Sequence, residues 1–320
     1  MNHKEICNNS SIKIDLVYTW VDNKDLNWLE KKAHYDKTVL NLDKDANDTC
    51  RYFNNDELKY SLRSVEKNAP WVNKIYIITD NQRPKWLNLN NPKIKIIDHK
   101  DIIPKDKLPL YNACAIENAM CNIEDLSEYF IYLNDDMFFW EQVEPSFFFE
   151  DNKAIFRVDK KIRKFKKYKH LYGSMIFKAY STIKHKLNID IPYFPHHNAD
   201  GYIKSSFLNC IKEFKQEFDI TLNNRFRDFS DLQRVIFSYY SCGNNTAVIK
   251  KGLNWFEKNI KKQTPDSEFF DIRSKNITKI AKSKAKLICL NDSRKTTDED
   301  RAKIKEIMEN KFPQKSEFEV

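Results

Sequence analysis

The stretch FIYLNDDMFF, residues 130–139, places two adjacent acids at the end of a run that is typical of a buried β-strand. Asp135 and Asp136 repel each other, and the repulsion grows where water is excluded. A hydrated divalent cation would relieve it, because Mg²⁺ is usually held by one or two carboxylates together with substrate phosphates. The pair therefore predicts a Mg²⁺ or Mn²⁺ site that faces a phosphate. Successive side chains of a strand point to opposite faces, so one of the two acids suffices as a ligand.

The segments around this strand alternate between strand and helix patterns. Runs rich in β-branched and aromatic residues occupy Ile12–Asp22, Lys74–Asp80, Ile94–Asp98 and Ala285–Asp292. Helical patterns occupy residues 26–39, 58–69, 112–121, 201–240 and 298–311. This alternation predicts an α/β fold with a largely parallel sheet. Since no internal repeat or low-complexity linker interrupts it, we expect one domain over residues 1–320.

Acids recur where the predicted strands end. They are Asp22, Asp80, Asp98, Asp135, Asp136 and Asp292. For any single one of them, capping a helix is the more common role. Together they favour a binding site, because ligands of open parallel sheets bind at the carboxyl ends of the strands.

Composition limits the class of protein. The 320 residues carry a formal net charge of +9, which suits an anionic partner. Seven scattered cysteines without a CxxC pair indicate reduced thiols, and we expect a cytoplasmic protein with no signal peptide and no membrane-spanning helix. The basic stretch RVDKKIRKFKKYKH, residues 157–170, is either a solvated face or a contact with a polyanion or the inner face of the cytoplasmic membrane.

Four stretches in succession resemble the conserved regions of the Stealth family of sugar-1-phosphate transferases. They are IDLVYTWVD (14–22), the segment from RYFNNDELKY to LNDDMFF (51–139), HHNADGYIKSSF with RFRDFSDLQRVIFSYY (196–207 and 225–240), and the segment from CLNDSRKTTD to SEFE (289–319). The resemblance implies a Rossmann-like fold with a single, mostly parallel sheet flanked by helices, as in nucleotide-sugar transferases, and a divalent metal. It further implies a nucleotide-binding core over residues 12–150, a variable basic insert over 151–190, and acceptor-binding, phosphate-binding and closing segments over 191–320.

The resemblance also implies a reaction. Such an enzyme moves a hexose-1-phosphate, here expected to be an N-acetylhexosamine, from a UDP-sugar to a hydroxyl of an oligosaccharide or lipid-linked glycan. A phosphodiester forms and UMP leaves, in the synthesis of a bacterial capsule or surface polysaccharide. The alternative is a metal-dependent glycosyltransferase that forms an ordinary glycosidic bond. A nucleic-acid partner is not expected, because the strand-end acids would repel its phosphates.

The resemblance and the chemistry of the residues together suggest roles for individual side chains. An imidazole titrates near neutral pH and accepts a hydroxyl proton, which makes His197 the expected general base. Asp200 would orient it, and neighbouring His196 is the bystander, although the two histidines are interchangeable at this level. Asp56 and Glu57 are the competing bases.

The remaining candidates bind charge or nucleotide. Arg227 is the expected phosphate clamp, since a guanidinium grips two oxygens at once; its ordinary alternative is a salt bridge to Asp228 or Asp231. Lys204 is expected to supply a further cation, because Gly201 stands where the animal member of the family has an arginine. The other expected substrate-binding residues are Arg51, Arg63, Arg225, Tyr18, Thr19, Trp20, Asp22 and Gln82, and the expected metal ligands are Asp135, Asp136 and Asp292.

Overall fold

The computed structural model describes residues 12–36, 49–163, 168, 170–253, 257, 260–261 and 263–320. Its strands are, in chain order, β1 (Ile14–Thr19), β2 (Ile75–Thr79), β3 (Ile94–Asp98), β4 (Tyr129–Asn134), β5 (Met137–Phe139), β6 (Phe149–Glu150), β7 (Lys153–Lys161), β8 (Tyr193–Pro195), β9 (Asp200–Ile203), β10 (Ala247–Lys251), β11 (Ser267–Asp271) and β12 (Leu287–Asn291). Its helices are α1 (Leu26–Asp36), α2 (Glu57–Asn68), α3 (His99–Ile102), α4 (Ala113–Ala119), α5 (Leu171–Leu187), α6 (Lys204–Glu213), α7 (Lys215–Asn223), α8 (Val235–Gly243), α9 (Ser274–Lys282) and α10 (Asp298–Lys311).

The central sheet has the strand order β3-β2-β1-β4-β9. The first four strands are parallel, and β9 joins the edge of β4 antiparallel. β1, β2 and β4 are almost wholly buried apolar runs, as expected of parallel strands covered by helices on both faces. The predicted Rossmann-like α/β fold is therefore confirmed.

Helices cover the two faces of this sheet. One hydrophobic cluster packs α4, α5, α6 and α8 against one face, and a second packs α2 against the other. The predicted apolar face of α2 is confirmed, since Leu58, Leu62 and Val65 are all buried. α10 begins at the predicted residue, with a capping box formed by Thr297 and Asp300.

The expected single sheet is accompanied by two smaller ones. They are β10-β7-β6, with β8 paired to β7, and β11-β12-β5. The predicted strand Ala285–Asp292 forms as β12, but it pairs antiparallel with β5 instead of entering the central sheet. The reason is the turn at Asp135 and Asp136, which reverses the chain after β4 and turns β5 into a separate edge.

The pattern predicted helical structure throughout residues 201–240, and this prediction is wrong for the first of them. These first residues form β9, in which Gly201 lies opposite Ile131 of β4. A Cβ added at Gly201 would lie 3.1 Å from the ring of Phe149, so the packing of β6 favours a residue without a side chain there. Within the basic stretch, residues 164–167 and 169 lie outside the described residues, and the predicted polyanion or membrane contact stays a prediction.

Candidate active site

A cleft of about 900 Å³ opens at the carboxyl ends of the parallel strands. The residues that immediately follow β1, β2, β3 and β4 lie along its floor, namely Trp20, Asp80, His99 and Asp135. Because β9 runs antiparallel to β4, the chain just before β9 meets the same edge and brings His197 to the cleft. This is the edge at which the strand-end acids predicted a binding site.

The acid pair sits in the middle of this cleft. Asp135 and Asp136 form the turn between β4 and β5, and Glu57 at the start of α2 stands beside them. Burial raises the pKa of Asp136 to about 7, and the nearby Glu57 charge adds to the shift. Burial, then Glu57 and Asp136, hold the pKa of Asp135 well above its usual range. The ionised forms of both acids are therefore disfavoured unless a positive charge binds beside them.

The pair fits a divalent cation. Asp136 Oδ1 is buried without a hydrogen-bond partner among the described residues, so one oxygen is left for a ligand. Two carboxylates suffice where substrate phosphates complete the coordination. Within the described residues, no group of three or more acidic, histidine or cysteine side chains is arranged to hold a metal ion.

Asp292, the third predicted metal ligand, is engaged by an arginine. Its two carboxylate oxygens accept from Arg301, with Nε to Oδ2 at 2.8 Å and Nη2 to Oδ1 at 3.1 Å. A carboxylate engaged by a guanidinium in this two-point manner is already neutralised and oriented. Asp292 nevertheless lines the cleft, and its charge contributes to the raised pKa of Asp136, so its predicted role as a metal ligand stays a prediction.

The two histidines of the HHNAD segment have different environments. His197 lines the cleft, its Nδ1 lies 3.1 Å from the Tyr172 hydroxyl, and its ring packs edge-on against Phe269. Burial, followed by the nearby Arg234 and His196, lowers the pKa of His197 to about 4. The ring is therefore neutral at pH 7 and keeps the lone pair that a general base requires.

His196 is buried behind the cleft. Its Nε2 lies 2.9 Å from Asp200 Oδ1, and its Nδ1 lies 2.9 Å from the Ser267 hydroxyl of β11. Asp200 consequently orients His196 and not His197, which corrects the predicted pairing. The two histidines are thus distinguished by the fold, since only His197 faces the cleft.

Two arginines face the cleft beside His197. Arg227 lies there as predicted, while the Asp231 carboxylate that would have paired with it accepts instead from Asn112 and Asn224. Arg234 was not among the predicted residues. Its Nη2 lies 3.0 Å from Asp200 Oδ2, so Arg234 supplies the cation beside Asp200 that the sequence assigned to Lys204.

Glu117 of α4 is a second residue that sequence reasoning missed. It is buried, lines the cleft, and accepts from the Tyr132 hydroxyl at 3.2 Å through Oε1. Its Oε2 has no hydrogen-bond partner among the described residues, and burial raises its pKa against the opposing charges of Arg234 and Arg227. The available signal was a lone acid within the otherwise uncharged helix ACAIENA.

Known proteins share these regions. Family profiles for conserved regions 1 and 2 of Stealth proteins match residues 13–39 and 51–157. A capsular polysaccharide phosphotransferase of Streptococcus pneumoniae is 32% identical over 347 aligned positions, which cover 96% of this chain and 98% of that protein. The chain belongs to the Stealth family. The predicted enzyme class, a phosphotransferase, is thereby confirmed.

Two further relatives carry phosphotransferase names. A capsular polysaccharide phosphotransferase of Haemophilus influenzae is 40% identical over 240 positions, covering 72% of this chain and 65% of that protein. An exopolysaccharide phosphotransferase of Lactiplantibacillus plantarum is 31% identical over 343 positions, covering 96% of each. Among solved structures, the galactosyltransferase LgtC gives a TM-score of 0.44 at 11% identity over 95% of this chain and 98% of that one.

Several predicted cations of this Stealth protein lie away from the cleft. Arg63 makes a two-point salt bridge to Glu319, with both N–O distances at 2.8 Å. Lys204 Nζ donates to the carbonyls of Ile123 and Leu126 at 3.2 Å. Arg225 donates to the Pro109 carbonyl and stacks on Tyr35. The expectation that Arg63, Lys204 and Arg225 bind substrate is not supported, whereas Arg51 lines the cleft.

The residues predicted to meet the nucleotide divide in the same way. Thr19 and Trp20 line the cleft, but Tyr18 is fully buried with its hydroxyl 2.9 Å from Ser61. The side-chain amide of Gln82 is hydrogen-bonded to the backbone N–H and carbonyl of Asp22, and it thereby joins the loops after β1 and β2. Tyr18, Asp22 and Gln82 therefore shape the cleft floor without facing it.

The competing bases are also separated. Asp56 lies outside the cleft lining and pairs with Lys305 at 2.8 Å. Glu57 faces the cleft, but both its oxygens accept from Asn55, at 2.6 and 2.7 Å. His197 is therefore better placed than either acid to receive a substrate proton.

Replacing Arg63 with Met is expected to lower the free energy of unfolding by about 2 kcal/mol, because the buried Glu319 carboxylate loses the guanidinium that engages both its oxygens. The kcat/KM is expected to stay within about threefold of wild type, since Arg63 contacts nothing in the cleft. Urea denaturation and steady-state kinetics measure the two quantities. A loss of turnover at unchanged stability would restore Arg63 to the substrate site.

Proposed function

We propose that this Stealth protein transfers an N-acetylhexosamine 1-phosphate from a UDP-sugar to a hydroxyl of a glycan acceptor. The products are a phosphodiester and UMP, and the acceptor is an oligosaccharide or a lipid-linked glycan of a bacterial capsule or surface polysaccharide. The observation that carries the proposal is a single cleft. It is lined by the acid pair Asp135 and Asp136, by Arg227 and Arg234, and by the neutral imidazole of His197. These are the groups that attack of a hydroxyl on phosphorus requires.

In the proposed mechanism, each group of charged or polar residues that lines the cleft has its own role. Asp135 and Asp136 would hold Mg²⁺ or Mn²⁺, which when bound neutralises charge on the donor diphosphate. Arg227 and Arg234 bind the non-bridging oxygens of the transferred phosphoryl group, where negative charge must be stabilised. His197 accepts the proton of the attacking hydroxyl, and Tyr172 fixes the orientation of its ring.

Arg234 is held for this role before the substrate arrives. Asp200 binds it at 3.0 Å, and Asp200 is itself fixed by His196. Positioning groups that need no rearrangement during the reaction contribute most to catalysis by charge stabilisation. The His196–Asp200–Arg234 chain therefore supports the reaction from behind the cleft.

A metal-dependent glycosyltransferase is the second candidate, because an acid pair at the end of a strand would serve it equally well.

Within the described residues no helix is both long and apolar enough to cross a membrane. We place the reaction in the cytoplasm, with a peripheral contact at the inner face of the membrane as part of the proposal.

The products distinguish the two reactions. Incubation with UDP-N-acetylglucosamine and a set of other sugar nucleotides, followed by ³¹P NMR, is expected to show UMP and a new phosphodiester resonance. Attack at phosphorus leaves the anomeric C–O bond intact, so the sugar keeps its phosphate. Release of UDP together with a phosphate-free glycoside would contradict the proposal and identify a glycosyltransferase.

A further inference from the structure

The cleft has a second end, on the far side of the acid pair from His197. Trp20, Asp80 and His99 follow three neighbouring strands there, β1, β2 and β3. Trp28 of α1 and Tyr111 close this end from the opposite side. No step of the proposed mechanism uses these side chains.

Two polar atoms in this end have no partner. His99 Nδ1 and the Tyr111 hydroxyl are buried, lie in residues only 6% and 5% exposed, and make no hydrogen bond among the described residues. Buried polar groups are almost always hydrogen-bonded, so an unmet pair that lines a cleft indicates a missing ligand. The Tyr111 ring is fixed by stacking on Phe226 and by edge-on contact with Trp28, which prevents the hydroxyl from turning away.

The charge around these atoms does not favour a phosphate. Asp80 lies at this end of the cleft, and the two described lysines near it are engaged by carboxylates, Lys31 by Asp80 and Lys32 by Asp36. Burial lowers the pKa of His99 against the opposing charges of Asp80 and Asp98, which keeps the imidazole neutral. Burial likewise raises the pKa of Tyr111 and keeps its phenol protonated. The end therefore suits an uncharged ring with hydrogen-bonding groups on its edge.

We propose that this end is the pocket for the nucleobase of the donor, read by His99 and Tyr111. The Tyr111 hydroxyl donates to a ring carbonyl, and His99 Nδ1 accepts from the adjacent ring N–H. Uracil offers this order of groups at O4 and N3–H, whereas cytosine offers an amino group beside a bare ring nitrogen. The inference rests on the proposed function, because it assigns one end of the UDP-sugar that the function requires.

The distance along the sheet agrees with this assignment. From β3 to β4 the sheet makes three steps, β3-β2-β1-β4, or roughly 14 Å at the usual strand spacing of about 4.8 Å. A nucleotide lying along the sheet edge would place its base against His99 and its diphosphate at Asp135 and Asp136. The sugar would then point toward His197 at the β9 end.

Calorimetric titration with UMP and CMP tests the pocket without requiring turnover. Tyr111→Phe and His99→Phe keep a ring of similar shape and remove the polar atoms, and each is expected to weaken UMP binding about tenfold and to reduce the preference for UMP over CMP. Tyr76→Phe is the matched control, since its hydroxyl donates to the Asp125 carbonyl outside the cleft. It is expected to bind UMP like the wild type.

Binding of a modified nucleotide tests the same pocket in the wild-type protein, without any substitution. Methylation of N3 abolishes the ring N–H, so N3-methyl-UMP is expected to bind the wild-type protein at least about tenfold more weakly than UMP. Equal binding of the two nucleotides, or a UMP affinity within twofold of wild type in both cleft variants, would overturn the pocket while leaving the proposed transfer intact. A wild-type protein that binds neither UMP nor UDP-sugars would overturn both.

Discussion

Replacing Asp136 with Asn is expected to reduce kcat/KM by about 10³-fold. The change keeps the size of the side chain and removes the charge that would bind a divalent cation against the donor diphosphate. Removal of one charge-stabilising group from an active site typically costs ~10²–10³ in rate, and here a bound cation is weakened as well. EDTA is expected to abolish wild-type activity, and Mg²⁺ or Mn²⁺ to restore it.

Stability should change in the opposite direction. The Asp136 carboxylate lies beside Glu57 and Asp135 and leaves one buried oxygen unpaired, so a neutral amide relieves like-charge repulsion. We expect the thermal midpoint of Asp136→Asn in EDTA to equal or exceed that of the wild type. Asp125→Asn, which removes an exposed partner of Lys95, is the matched control with full activity.

Two results would contradict this account. Full wild-type activity in EDTA would remove the metal from the mechanism. An Asp292→Asn variant that loses as much kcat/KM as Asp136→Asn, and that regains it at high Mg²⁺, would show that the Arg301 salt bridge does not keep Asp292 from the metal.

The second large effect concerns His197. Replacing it with Ala is expected to lower kcat by ~10²–10⁴-fold, the usual contribution of general-base assistance, while the Kd for UMP changes little. His185→Ala on α5, an exposed histidine, is the control. His196→Ala is expected to cost less turnover and more stability, because His196 connects Asp200 to Ser267 in the interior.

The pH profile gives an independent check. A base works only when deprotonated, so kcat/KM falls as the pH drops through the pKa of the free enzyme. Because burial and Arg234 lower the pKa of His197 to about 4, the rate at saturating Mg²⁺, where the bound cation keeps Asp136 ionised, should be level down to pH 5.5, although an ordinary imidazole is already mostly protonated there. A loss of kcat of less than about tenfold in His197→Ala would show that His197 is not the general base, and Glu117 or Glu57 would then be the candidate.

Much of the fold could be predicted from local pattern. β1, β2, β3 and β4 are apolar β-branched runs, and α2 and α10 carry a continuous apolar face or a capping box, so neighbouring residues specify each element. The placement of β9 and β12 could not be read in this way. Their pairing depends on edges that exist only after the chain turns at Asp135 and Asp136.

The candidate site was predicted in its chemistry and only partly in its members. The acid pair, His197, Arg227 and the edge of the sheet follow from residue type, strand-end position and the family resemblance. Arg63 and Lys204 lay in the matching stretches but satisfy Glu319 and backbone carbonyls outside the cleft. A charged residue looks the same in sequence whether it binds substrate or a structural partner.

The sequence by itself determined the alternation of strands and helices, the metal-suited acid pair and the family, because these depend on residue types over short spacings. Only the tertiary structure decided which charges remain free for a ligand. Asp292 is taken by Arg301, Asp98 caps α3, and Asp200 holds Arg234 and His196, while Asp136 keeps an unpaired oxygen. Partners far apart in the chain set these outcomes, since a buried charge is stabilised by whichever opposite charge the packing brings within reach.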